Sequence, residues 1–138
     1  MAGYSGTPLI KKLGIKEGFV CCLRNAPVGF KRELGTLPAK TSFVRNSGAL
    51  DFILFFCKST KSLPAEFSFS VSLLKPAGMV WVAWPKKSSG VQTDLSFDVV
   101  QRAGLDAGLV DVKICAINDV WSGLKFVYRL RDRKHVYI

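Results

Sequence analysis

Hydrophobic residues in this chain gather into short unbroken runs set between polar turns. Phe19–Leu23 (FVCCL), Phe52–Cys57 (FILFFC) and Met79–Trp84 (MVWVAW) have the length of strands. Runs without polar alternation imply burial on both faces, as in the central strands of a parallel sheet. Val110–Ile117 (VDVKICAI) alternates at first, and Gly123–Leu130 (GLKFVYRL) sets Leu124, Phe126 and Tyr128 on one side. A short turn, Asn118–Gly123, joins the two. They read as an antiparallel hairpin over 109–118 and 123–130. Thr41–Val44 reads as a small edge strand.

Between the strands the spacing becomes helical. Leu9, Ile10 and Leu13 make one apolar face while Lys11 and Lys12 point away. Thr7 is placed to cap this short helix, Pro8 suits its first position and Gly14 its left-handed stop. Phe30–Leu37 predicts a second short helix. Phe67–Leu73 (FSFSVSL) alternates apolar residues with serine, which locally resembles a half-buried strand. Yet Leu63, Phe67, Val71 and Leu74 also fall at helical spacing. Parallel strands need a crossover of about a dozen residues, and Ser59–Lys75 has that length. Helix is therefore the expectation, followed by a turn at Lys75–Gly78. Thr93 opens a last helix reaching about Ala107, with Asp94 and Asp98 near its positive end and Gly108 as its cap.

These elements predict an α/β fold: a single-domain, Rossmann-like three-layer sandwich whose sheet is mainly parallel, with a C-terminal antiparallel hairpin. Residues 1–138 form the one domain, 1–16 being an N-terminal arm with its short helix and 131–138 a basic tail. Cys21, Cys57, Trp81, Val82 and Ile114 are expected to be buried. Trp81 and Trp84 should point to opposite faces of their strand.

Composition narrows the function only coarsely. Apolar residues make up 49% of 138, so a real core is available. Twenty Lys and Arg against ten Asp and Glu leave a net charge of +10, which favours anionic partners. No run approaches the ~18–20 apolar residues of a membrane-crossing helix. Lys11 and Lys12 interrupt any secretory signal. The four cysteines show no C-x-x-C spacing and read as free thiols of a cytoplasmic protein that neither binds metal nor engages membranes.

The most site-like stretch follows Met79–Trp84. Open α/β sheets bind ligands beyond the carboxyl ends of their strands. There Lys86, Lys87, Ser88, Ser89 and Gly90 supply charge, hydroxyls and a backbone free of Cβ, and the helix opened by Thr93 adds its positive end. The GxxxxGK[ST] pattern of a P-loop is absent. Trp121, in a turn, offers a stacking surface, and the arm carrying Ser5 and Thr7 is placed to fold over this site. His135, the only histidine, lies in the tail, which excludes histidine triads and multi-histidine metal sites. Asp51, Asp94, Asp98 and Asp119 have no evident catalytic partner, Asp119 being the best placed base. No catalytic residue is assigned.

Two resemblances add to this. LLKPAGMVWVAWP is similar to the turn and strand of class I methyltransferases, and LGIKEGFVCCL resembles the approach to their first strand. That resemblance implies a Rossmann-like fold. Those enzymes follow strand one with a glycine-rich turn for S-adenosylmethionine and place an acid at the end of strand two for its ribose. Here the turn reads Arg24-Asn25-Ala26-Pro27-Val28-Gly29, and no room is expected for the usual second strand with its acid, so no cofactor is expected. GYSGTPLIKKLGIK, WPKKSSGVQTDL and GLVDVKICAINDVWSGLKFVYR resemble segments of a small uncharacterised bacterial family, a domain of unknown function.

The expected function leans away from an enzyme: a catalytically silent Rossmann-like module binding an anionic small molecule or a protein partner. The alternative is a small methyltransferase-like transferase with an atypical cofactor site. A third is a non-specific polyanion or nucleic-acid binder, using Lys11, Lys12, Lys16, Arg129, Arg131, Arg133 and Lys134 as one patch. Nucleic acid ranks below a metabolite or protein partner because no zinc finger, homeodomain or RRM signature is present.

Overall fold

Alternate residues of the central strands face opposite ways, and each set meets its own helices. The computed structural model describes residues 7–135, with side chains through Arg133. The arm at residues 3–6, including Ser5, and the tail's last residues, 136–138, lie outside the described residues. In chain order the elements are α1 (Leu9–Leu13), β1 (Val20–Arg24), α2 (Phe30–Glu33), β2 (Ser42–Phe43) and β3 (Leu50–Phe56). They continue with α3 (Leu63–Leu73), β4 (Leu74–Pro85), α4 (Phe97–Asp106), β5 (Leu109–Ala116) and β6 (Trp121–Tyr128). The sheet has six strands in the order β2-β1-β3-β4-β6-β5. The first four are parallel, and β6 runs antiparallel to both β4 and β5. This is the expected mainly parallel α/β sandwich with its antiparallel hairpin.

Phe52, Leu54 and Phe56 of β3 join Trp81 and Ala83 of β4 in one layer, covered by Leu9 and Leu13 of α1 and Phe30 of α2. Ile53, Phe55, Val80, Val82 and Trp84 face the other layer, covered by Leu63 and Phe67 of α3 and Val100 of α4. Both layers contain edge-to-face ring contacts: Phe30–Phe56 at 4.9 Å in the first, Phe55–Phe67 at 5.3 Å and Phe67–Phe126 at 5.2 Å in the second. Trp81 and Trp84 point to opposite faces as expected, and both are buried. The Trp81 indole donates to the Leu13 carbonyl at 2.9 Å, tying α1 to the sheet.

Residues 67–73 are helical. Their serines do not make a strand's polar face: Ser70 donates to the Glu66 carbonyl at 2.9 Å and Ser72 to the Phe69 carbonyl at 2.7 Å. Serine hydroxyls bonded back one turn are satisfied inside a helix, which removes the objection to burying Ser70.

Several local expectations are corrected. The Lys75–Gly78 turn lies inside β4 as a register shift, since Leu50 pairs with Leu74 but Phe52 with Met79. Lys75 meets Asp51 there at 3.1 Å. Ile114 is 55% exposed, because β5 is an edge strand whose outer positions have no covering element. Lys12 is buried, and its ammonium donates to the Ala116 carbonyl at 2.8 Å instead of pointing away with Lys11. Thr7 makes no cap; Pro8 occupies that position without a side-chain bond. The second helix stops at Glu33, short of Leu37. Thr93 does not open α4, which Ser96 caps by accepting from the Val99 amide at 3.4 Å.

Candidate functional site

The carboxyl ends of the parallel strands form one edge of the sheet: Arg24 of β1, Phe56 of β3, Pro85 of β4 and Ala116 of β5. From β1 the chain goes to β2 on one side and later to β3 on the other. That reversal is where an open α/β sheet leaves a crevice.

At the reversal the crevice is lined with charge. Arg24 donates from Nε to Glu66 Oε1 at 2.6 Å and from Nη2 to Oε2 at 3.3 Å. Its guanidinium lies 3.7 Å from the centre of the Phe69 ring, and the bond to Glu66 holds its pKa above the ordinary value. Asn25, in the left-handed region at φ 58°, reaches the Phe56 carbonyl and Glu66, each at 3.5 Å. Asparagine is one of the few residues that adopts this region readily. Leu23, Arg24, Asn25 and Arg45 line an open cleft of about 260 Å³ over the ends of β1 and β2.

A second crevice of about 430 Å³ lies at the end of β4, lined by Trp84, Lys86, Lys87, Phe97, Asp98 and Ser122 among others. The Lys86 amide donates to the Val120 carbonyl at 2.7 Å, so the loop after β4 and the turn before β6 do meet. The lysine ammonium groups make no hydrogen bond or ion pair with any described residue. Ser89 faces inward: it donates to the Lys86 carbonyl at 2.6 Å and accepts from the Val91 amide at 3.1 Å. Gly90 closes this turn at φ 75°, and Ser88 is exposed. Thr93 donates to the Lys58 carbonyl at 2.7 Å and Asp94 accepts from the Thr60 amide and hydroxyl, each at 2.9 Å. Those bonds draw the Asp94 carboxyl below its ordinary pKa and pin the loop across the end of β3.

The expected site is thus divided. Lys86 and Lys87 line the crevice, while Ser89 and Thr93 hold its loop in shape. Trp121 leaves it: the indole is 8% exposed and packs edge-to-face on Phe56 at 4.9 Å, on the other face of the sheet from Ser122. Thr7 is exposed at the start of α1 and makes no hydrogen bond to the loop. Ser5 lies outside the described residues. Asp51 accepts from the Val20 amide at 2.8 Å and from Lys75, at the opposite end of the strands. Asp119 is exposed, and Asn118 shapes its turn by accepting from the amides of Val120 and Trp121. Arg24, Asn25, Arg45 and Glu66 were missed. The one available signal was a cation ending the FVCCL run, where an apolar strand meets water.

No family model matches the chain, and no curated protein does. The resemblance to an uncharacterised bacterial family is accordingly unsupported. Solved structures do match. Magnesium protoporphyrin IX methyltransferase of Synechocystis PCC 6803 with bound SAM superposes at a TM-score of 0.57 and 11% identity, over 88% of this chain and 74% of that one. Ribosomal protein L11 methylase of Lactobacillus delbrueckii subsp. bulgaricus gives 0.61 and 12%, over 88% and 75%. DhpI in complex with SAH gives 0.63 and 10%, over 90% and 83%. The fold is the methyltransferase Rossmann fold. These neighbours also correct the expectation of a catalytically silent module, because the architecture is one that methyl-transferring enzymes use.

The residues do not reproduce those enzymes' usual cradle for S-adenosylmethionine. The turn after β1 carries Asn25, Ala26, Pro27 and Val28 ahead of Gly29, and proline has no N–H to offer. A second strand does fit beside β1, against expectation, because two residues, Ser42–Phe43, suffice for it; beyond it stands Arg45 in place of an acid. Arg24, at the start of the turn after β1, is paired with Glu66 of α3.

Proposed function

We propose that the chain is a small methyltransferase-like transferase with an atypical donor site. One observation carries this. A fold shared with methyltransferases over 88–90% of the chain retains an open cleft at the switch of its sheet, although the walls are Arg24, Asn25 and Arg45. A second crevice, two strands along at the end of β4, is the acceptor side of this reading. Trp84 and Phe97 give it an apolar wall, Lys86 and Lys87 attract an anionic group, and Asp98 is its carboxylate. Only β3 separates β1 from β4, about 10 Å at two strand spacings, so the donor in this reading is an extended molecule that spans the strand end. Catalysis in this reading is positioning of the donor against the acceptor.

The test is a panel of S-adenosylmethionine, S-adenosylhomocysteine, nucleotides and acyl-carrier thioesters, read by thermal shift and calorimetry. The transferase reading requires one donor class to raise Tm saturably, since a ligand that binds only the folded state stabilises it by mass action. A similar rise with every polyanion, abolished by salt, marks a charge-driven binder instead. No saturable ligand at all removes the reading.

A further inference from the structure

The cleft at the end of β1 and β2 differs from an ordinary ribose site in a chemically definite way. In nucleotide-binding sheets an acid beyond the second strand accepts from ribose hydroxyls, whereas an arginine there accommodates a phosphate. Arg45 occupies this position and is held there by its backbone. The Val44 amide donates to the Cys21 carbonyl at 2.8 Å, and the Cys22 thiol donates to the Arg45 carbonyl at 3.1 Å. Its guanidinium has no ion pair with any described residue.

Arg24, which lines the same cleft, gives Nε and Nη2 to Glu66 and keeps Nη1 uncommitted. Glu66 balances Arg24, so the charge of Arg45 is the cleft's excess. A neutral ribose diol gains little from two guanidinium groups. A phosphate matches them, because guanidinium donors are fixed in a fork that fits its oxygens. The cleft is open, with about 260 Å³ of space between these residues, so a bound phosphate need not be enclosed.

We infer that this cleft binds a phosphate-bearing nucleotide, with its phosphomonoester on Arg45 and the free edge of Arg24. The inference rests on the transferase reading for the role of the cleft, and names the ligand class that makes the site atypical. The experiment is calorimetric titration of the full chain at near-physiological salt with 2′-AMP, 5′-AMP, adenosine, S-adenosylhomocysteine and inorganic phosphate. At least one AMP isomer should bind ten-fold or more tighter than adenosine and S-adenosylhomocysteine. Arg45→Ala should weaken it by at least ten-fold, Arg45→Lys by less, and Arg102→Ala, an exposed cation on α4, not at all. Arg45 is exposed, so its variants are expected to fold; matching thermal melts check this.

Adenosine or S-adenosylhomocysteine binding as tightly as AMP overturns the inference while leaving the transferase reading in place. So does inorganic phosphate binding as tightly as AMP, which marks an anion hole without a nucleoside. Equal losses in Arg45→Ala and Arg102→Ala, or no AMP binding, also overturn it. Tight, Arg45-dependent AMP binding by a protein that transfers nothing leaves the inference standing and removes the transferase reading.

Discussion

Arg24 Nε and Glu66 Oε1 lie 2.6 Å apart, joining the end of β1 to the first turn of α3 at the point where the sheet reverses. Both side chains are partly screened from water, 31% and 13% exposed, so the pair is more than a surface contact. Glu66→Ala leaves a cation over Phe69 without its counter-charge, at a cost of about 1–2 kcal/mol, typical of a charge-assisted hydrogen bond. Glu66→Gln, which can still accept, should cost about half as much. Urea denaturation measures both. Equal stability of the Ala variant and the parent would show the pair to be solvated and inert.

Gly104 lies against Phe126. A Cβ at Gly104 would fall on the edge of the Phe126 ring, far inside van der Waals contact. The ring is fully buried and clasped edge-to-face by Phe67, so it has nowhere to swing. Glycine to alanine inside a helix ordinarily stabilises by about 1 kcal/mol. Here the sign reverses: Gly104→Ala should destabilise by about 1–3 kcal/mol through overpacking between α4 and β6. A thermal melt of Gly104→Ala against Arg102→Gly, at an exposed position of the same helix where only helix propensity is lost, distinguishes the two effects. A more stable Gly104→Ala protein defeats the packing argument.

Much of this was readable where burial dictated the sequence. FILFFC and MVWVAW have no polar face to expose, and both became central strands. Gly14 became the left-handed stop of α1 at φ 84°. What escaped depends on partners far along the chain. Lys12 is charged, yet its long apolar stem is buried and its head finds the Ala116 carbonyl. Gly104 lies within α4 because a residue without a side chain is what admits Phe126 there. Trp121 sits in a turn by local pattern, but pairs with Pro85 at the start of β6 and fills the core. The Arg24–Glu66 pair was invisible for the same reason: nothing near either residue names the other.

Asp94 offers a local test of the loop over β3. Its carboxyl lies below its ordinary 3.8, first because of the Thr60 hydroxyl and then because of the Thr60 amide. A lowered carboxyl contributes stability above 3.8 that is lost as pH falls through the folded value. Asp94→Ala should therefore speed hydrogen exchange at the Thr60 amide at pH 7, while the melting temperature stays nearly unchanged. Parent protein should show the same loosening only under acid conditions. Unchanged exchange in the variant would mean that the Thr93 bond to Lys58 holds the loop alone.

Buried thiols should make the fold less stable as pH rises into the alkaline range. Cys21 is fully buried, and its pKa is raised to about 12, chiefly by desolvation and then by the Asp51 carboxylate and Cys22. Cys22, Cys57 and Cys115 are raised as well, each mainly by burial. A raised thiol stays protonated in the folded chain after the unfolded chain has lost its proton. Its contribution is complete below the ordinary value of 9.0 and falls as pH rises toward 12. From pH 8 to pH 10, Cys21 alone should remove on the order of 1 kcal/mol. Lys125 acts in the opposite direction over part of that range, because burial and the neighbouring Lys113 and Lys16 lower its pKa. Urea denaturation under reducing conditions at pH 8 and pH 10 should therefore show a falling midpoint, and the fall should be smaller in Cys21→Ala. The variant starts from a lower stability at pH 8 because it leaves a small cavity, so the difference between the two pH values is the quantity to compare. An identical fall in both proteins would place the alkaline sensitivity elsewhere than at this thiol.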